Sequence, residues 1–194
     1  MAHSGAVTAI ELRSDNAAGA APEILAAIDA ANHGSALAYG ADDLTDQLQS
    51  VVRDVFEHAN ARAFPVVSGT AANSLGLSAL TPPWGAVLCH HTAHILNSEG
   101  GATSLLSGGA VVQGLGGDHS LIDPDALRAA LDSAGWGDPH HSQPSVLAFT
   151  QPSDRGTIYT VDQLTELSEI AATRGMRVQL DGARLANALV ASGA

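Results

Sequence analysis

Short apolar runs alternate with helical patterns along this chain, and that alternation limits its fold more than any other feature. "RAFPVV" (62–67), "GAVLCH" (85–90), "GGAVVQGL" (108–115), "PSVLAFTQ" (144–151) and "MRVQLD" (176–181) read as strands. Helices fall between most of them. "SGTAANSLGLSAL" runs on from Gly69 as an apolar helix, and "DPDALRAALDSA" has Asp123 as N-cap and Pro124 at the first helical position. "TVDQLTELSEIAATRG" pairs Thr160 with Gln163 as a capping box and stops at Gly175. Upstream, "PEILAAIDAAN" (22–32) opens on Pro22, and residues 44–58 hold Leu44, Leu48, Val51, Val52 and Val55 in one stripe. Strands separated by helices predict an α/β fold: a mostly parallel sheet with helices on both faces.

In such a sheet, ligands bind beyond the carboxyl ends of the strands. Four polar groups follow strand candidates and are expected to share a pocket there: Ser68–Thr70, His90–His94, Gln151–Asp154 and Asp181–Arg184.

The totals narrow the function. A net charge of −12 argues against nucleic acid or an anionic membrane as partner, and no apolar run reaches the length of a membrane span. The first nine residues, "MAHSGAVTA", lack the charged start and apolar core of a signal peptide and are expected to be a disordered amino terminus. The cytoplasm is the expected location. Cys89 is the only cysteine and, between apolar neighbours, is expected to be a buried small hydrophobe. All eight basic residues are arginines, so this chain supplies no lysine nucleophile.

Each polar group has a plain reading and a chemical one. "SGTAAN" is either an ordinary N-cap or a phosphate-binding turn, in which Gly69 admits a ligand and Thr70 and the free helix amides hold it. His90 and His94 have metal-ligand spacing, with His91 between them. The segment nevertheless lacks a helix start and an acid between the histidines, so no metal is expected; the alternatives are a histidine stacked on an aromatic cofactor ring and solvent-facing or structural histidines. "DPHHSQP" puts His140 and His141 just before a buried strand; His140 reads as a surface residue, and His141 stays open. Asp181, at the tip of an apolar strand, needs a positive partner. Arg184, an N-cap interaction and the protonated ring nitrogen of pyridoxal phosphate are the candidates.

Taken in order, these pieces resemble the threonine aldolase branch of the aromatic amino acid beta-eliminating lyase/threonine aldolase family, from about Ile10 to the last residue. The resemblance rests on "ELRSDNAAGAAPEILAAI", "AYGADDLTDQLQ", "SGTAAN", "AHILNSEGG" and "LDGARLANA". It implies the large domain of an aspartate aminotransferase-like, fold type I enzyme with pyridoxal 5'-phosphate as cofactor. Asp181 would bond the pyridine nitrogen, Gly69 and Thr70 the phosphate, and His94 would stack on the ring. Glu99 would support proton transfer, Ser14 and Arg184 would bind the substrate carboxylate, and His141 would lie near the substrate hydroxyl. The implied reaction cleaves threonine or allo-threonine to glycine and acetaldehyde, in a homotetramer.

The chain departs from the family at Asn16, where threonine is usual, and at Pro152. The family's cofactor lysine lies beyond the Asp-Gly-Ala-Arg segment and is followed by a small carboxyl-terminal domain. Residues 10–194 are therefore expected to be an incomplete large domain, with the small domain absent and the chain inactive alone. The rivals are a non-catalytic binding or assembly partner and a metal-dependent hydrolase built on His90, His91 and His94.

Overall fold

The computed structural model describes residues 14–193 and divides into two compact units, residues 1–64 and 65–194. In the first unit, Ser14 opens a short 3-10 turn at Asp15–Ala17, with the Asn16 amide donating to Ser14 Oγ. Helix α1 (Pro22–Ala31) begins on proline, whose missing N–H costs nothing in a first turn. Helix α2 (Asp43–Val55) is capped by Asp42, which accepts from the Thr45 amide at 2.9 Å and the Thr45 hydroxyl at 2.7 Å. No described residue of this unit is buried.

The expected strand over 62–67 does not form. Pro65 has no N–H to give a ladder. Just before it, Ala63 is paired by a side chain instead: its amide donates to Gln49 Oε1 and its carbonyl accepts from Gln49 Nε2.

The second unit carries the sheet. Strands β1 (Gly85–His90), β2 (Val111–Leu115), β3 (Gln143–Thr150) and β4 (Arg177–Asp181) are all parallel, in the order β2-β1-β3-β4. The chain leaves β1 on one side to build β2 and returns on the other to build β3, which is the reversal that opens a crevice at the carboxyl ends. Register aligns those ends, pairing His90 with Leu115 and Thr150 with Asp181. A bulge falls where Ala86 faces Pro144 and Val87 faces Val146, because Pro144 cannot donate to the ladder.

Alternation along the strands separates two cores. Val87, Cys89, Val146 and Ala148 pack with Leu77 of helix α3 (Gly69–Leu80). Leu88, Leu147 and Phe149 pack on the other face with Leu127 and Leu131 of α6 (Pro124–Asp132) and Leu167 and Ile170 of α7 (Val161–Ala172). Helices thus cover both faces, as the apolar runs predict. Cys89 is fully buried, and burial pushes its thiol up to about 12.

The caps match the sequence. Asp123 accepts from the Asp125 amide, and Thr160 and Gln163 form both halves of the capping box. The sequence reading missed two short helices between β1 and β2, α4 (His94–Asn97) and α5 (Ala102–Leu106). No side chain caps either of them, so no start signal exists to be read. The last helix, α8 (Leu185–Ser192), follows β4. Among the described residues no helix is long and apolar enough to cross a membrane.

Candidate functional site

Acids and amides converge where α3, the α4–α5 turn and the tip of β4 meet. Asp181 ends β4, and one of its oxygens, Oδ1, accepts from the Ala183 amide at 3.1 Å. Its other oxygen, Oδ2, accepts from Asn73 Nδ2 at 2.9 Å. The same nitrogen donates to Glu99 Oε1 at 2.8 Å. That oxygen also lies 2.9 Å from His94 Nδ1, so a carboxylate at Glu99 fixes the proton on Nδ1.

Local structure explains each placement. Asn73, Ser74 and Leu77 are the buried stripe of α3, facing the sheet. Gly100 and Gly101 both take positive φ, 59° and 78°, a conformation other residues enter at a cost. They turn the chain between α4 and α5 and leave the Glu99 side chain fully buried. His94, at the first position of α4, keeps 43% of its side chain exposed. One carboxylate oxygen, Glu99 Oε2, is buried with no partner among the described residues. A buried acceptor left like this is costly, and a bound group that supplies a donor would remove the penalty.

The amino end of α3 completes the arrangement. Ser68 caps it, accepting from the Ala71 amide at 3.2 Å. Among the described residues, a Cβ on Gly69 would meet nothing within 4 Å apart from its chain neighbours and its own helix backbone, so neither packing nor backbone requires glycine there. Open space and free amides beside Gly69 and Thr70 suit an anion. The expectation that Ser68–Thr70 follows a strand is not met, because residues 62–67 form none; the helix end alone positions it.

The other expected site residues lie elsewhere. Arg184 is the N-cap of α8, three residues beyond Asp181. Ser14 belongs to the first unit. His141 stands before β3, at the amino end of the sheet, 3.2 Å from the Asp138 carboxylate; within the second unit it is not brought to Asp181. Gln151 is pinned by two bonds to the Tyr159 backbone and is not free to reach a ligand.

His90 is committed to structure. Its Nε2 faces the Gly117 carbonyl, which only accepts, and its Nδ1 faces the Thr92 amide, which only donates. The ring is therefore the neutral Nε2–H tautomer, in keeping with burial, which lowers its affinity for a proton. Neither nitrogen is left for a metal. Among the described residues no group of three or more His, Cys, Asp or Glu could hold one.

The sequence reading did not single out Asn73 or Gln179. Gln179 Nε2 donates to Asn73 Oδ1 at 2.9 Å. The available signal was a glutamine two residues before Asp181, on the same face of an apolar strand.

The sequence pattern of the beta-eliminating lyase family matches residues 11–194. The low specificity L-threonine aldolases of Pseudomonas sp. (strain NCIMB 10558) and Pseudomonas aeruginosa are each 35% identical over 179 residues, covering 92% of this chain and 51% of theirs. The chain therefore spans about half the length of the curated relatives it matches. A threonine aldolase from Leishmania major superposes with a TM-score of 0.81 at 25% identity, over 89% of this chain and 49% of that one. A serine palmitoyltransferase from S. paucimobilis, solved with bound PLP, shares the fold at a TM-score of 0.58 and 19% identity, over 82% of this chain and 39% of that one. The open parallel sheet is that of fold type I, and the chain belongs to the beta-eliminating lyase family.

Proposed function

We propose that this chain forms the cofactor-binding part of a threonine-aldolase-type lyase that cleaves threonine or allo-threonine to glycine and acetaldehyde. The observation that carries the reading is the tie between the Asp181 carboxylate and the buried Glu99–His94 pair, through a helix whose amino end is open. These residues fit pyridoxal 5'-phosphate: a carboxylate for a cationic ring nitrogen, an exposed imidazole face for the ring, and free amides at Gly69 and Thr70 for the phosphate. When bound, the cofactor supplies an electron sink for the bond being cleaved.

The chain's own residues do the remainder. Asp181 would partner a protonated ring nitrogen, and His94 would lie against the ring while its Nδ1 keeps its proton towards Glu99. Glu99 would offer its second oxygen, unpartnered among the described residues, to hold a proton in transit. Arg184 would offer a planar guanidinium, which suits a substrate carboxylate. His141 would act on the substrate hydroxyl only from a second copy of the chain, in keeping with a homotetramer.

All eight basic residues are arginines, so residues 1–194 include no lysine that could anchor the cofactor covalently. This also keeps a non-catalytic binding role open as the second reading. The test is to incubate the purified chain with pyridoxal phosphate and threonine. Saturable cofactor uptake with glycine formation no faster than with free cofactor is expected. Absence of uptake would remove the reading; lyase turnover by these 194 residues would instead overturn the expectation that they are inactive alone.

Gly69 gives a cleaner local test. Gly69→Ala is expected to change stability by less than about 0.5 kcal/mol, since among the described residues its methyl meets no other side chain or packed element. It should still weaken binding of pyridoxamine 5'-phosphate, a non-covalent probe, because that methyl occupies the space assigned to phosphate. Thermal melts and calorimetric titration read the two effects separately.

A further inference from the structure

One side-chain amide stands between the two acids. Asn73 Nδ2 donates to Glu99 Oε1 and to Asp181 Oδ2, while Asn73 Oδ1 accepts from Gln179 Nε2. An asparagine amide has two N–H bonds, and the two carboxylates use both. That fixes the orientation of the amide. Ionised carboxylates only accept, so Nδ2 must face them; Oδ1 is then turned to Gln179, which must donate. The acid oxygens share one nitrogen and so stand within about 6 Å of each other, close enough for like charges to repel. Asn73 is buried, with 6% exposure, so water does little to screen them.

The amide also joins two elements. Asn73 lies one turn into α3 from Gly69 and Thr70, and Gln179 and Asp181 lie on the same face of β4. The helix end assigned to the phosphate is thereby tied to the strand end assigned to the ring nitrogen.

We propose that Asn73, braced by Gln179, is a positioning residue that sets the distance between the two ends of the cofactor site and aims the Asp181 carboxylate. This rests on the pyridoxal phosphate reading above. Asn73 does not touch reacting atoms. It acts by holding Asp181 and Glu99 apart at fixed angles, which neither acid could maintain against the other. Gln179 acts one step further back, by stopping the amide from swinging its oxygen towards the carboxylates.

Asn73→Leu keeps the volume and removes every bond; Gln179→Met keeps the shape and removes the brace. Calorimetric titration with pyridoxamine 5'-phosphate is the first readout, alongside a melting curve for each variant. The second, on the free chain, is hydrogen exchange of the Asn73 side-chain amide by NMR. Both Asn73 amide protons are expected to be protected in the parent chain and to exchange faster in Gln179→Met. Affinity is expected to fall between about tenfold and a hundredfold in Asn73→Leu, the loss of a hydrogen bond to a charged group. In Gln179→Met, where Asn73 is still present, the fall should be smaller. Asn73→Ser, which restores one donor, should recover part of the loss, a rescue that general destabilisation would not give.

The proposal is overturned if folded Asn73→Leu binds within twofold of the parent chain. Should that variant not fold, unimpaired binding by Gln179→Met overturns it equally. Exchange of the parent Asn73 amide at the rate of an exposed asparagine does so as well. Failure of the parent chain to bind pyridoxamine phosphate would instead remove the cofactor reading, and amide exchange alone would then decide the bracing.

Discussion

Asp181→Ala is expected to cost the lyase reaction about two to three orders of magnitude in turnover, the scale of loss on removing a preorganised electrostatic partner. The assay, which rests on the lyase reading proposed above, is glycine release from threonine by the lyase-active protein. The same change should barely alter folding. It deletes the acceptor of bonds from Asn73 and the Ala183 amide, each worth about 1 kcal/mol or slightly more. It also removes a charge that repels Glu99 across a single amide; the exposed Ala183 amide can turn to water, and the buried Asn73 Nδ2 keeps its bond to Glu99 Oε1. A melting temperature near the parent value with catalysis lost is the expected pair of results. Catalysis and stability falling together would mean that Asp181 is a structural cap.

Gly117→Ala should do the reverse, destabilising the fold by at least ~3 kcal/mol from a position outside the Asp181–Asn73–Glu99–His94 cluster. Gly117 has a φ of 154°, where side chains are strained, and an added Cβ would collide with the Leu121 carbonyl oxygen. It would also stand 2.7 Å from the Asp123 amide. Both obstacles are backbone and cannot rotate away. The Asp123 amide bonds the Gly116 carbonyl, and the Asp123 side chain caps α6. The Gly117 carbonyl holds His90 in its neutral tautomer. Displacing this loop therefore loosens the α6 cap and the end of β1 together. Chemical denaturation of the variant, beside Gly69→Ala as a glycine with open space around it, measures the difference.

Much of the fold was legible because its determinants are local. Asp123 and Pro124 announce α6 within two residues, and the Thr160–Gln163 box announces α7 within four. The apolar runs of β1 and β3 could hardly be anything but buried strands once helices flank them. Failures came where local signals are shared or missing. "RAFPVV" has strand-like residues, yet Pro65 and the Gln49 side chain leave nothing for a ladder to pair with. Helices α4 and α5 are a single turn or so, without side-chain caps, and exist because they pack beside α3 and β2.

The site divides along the same line. Asp181 was readable from its own neighbours, as a charge at the tip of an apolar strand. Asn73 was not, since its partners are 26, 106 and 108 residues away in sequence and nothing near it marks the contact. His141 shows the opposite hazard. Sequence places it next to a buried strand, as it does His90, but one precedes its strand and the other ends one, so they stand at opposite ends of the sheet.

The central claim is that Asp181 faces the ring nitrogen of the cofactor and keeps it protonated. The direct measurement is the 15N chemical shift of ring-labelled pyridoxamine 5'-phosphate bound to the protein, at a pH where the free ligand's ring is neutral. A pyridinium shift in the parent chain, returning to the neutral value in Asp181→Asn, is the predicted result. The same neutral ring shift in both proteins would contradict that role for Asp181.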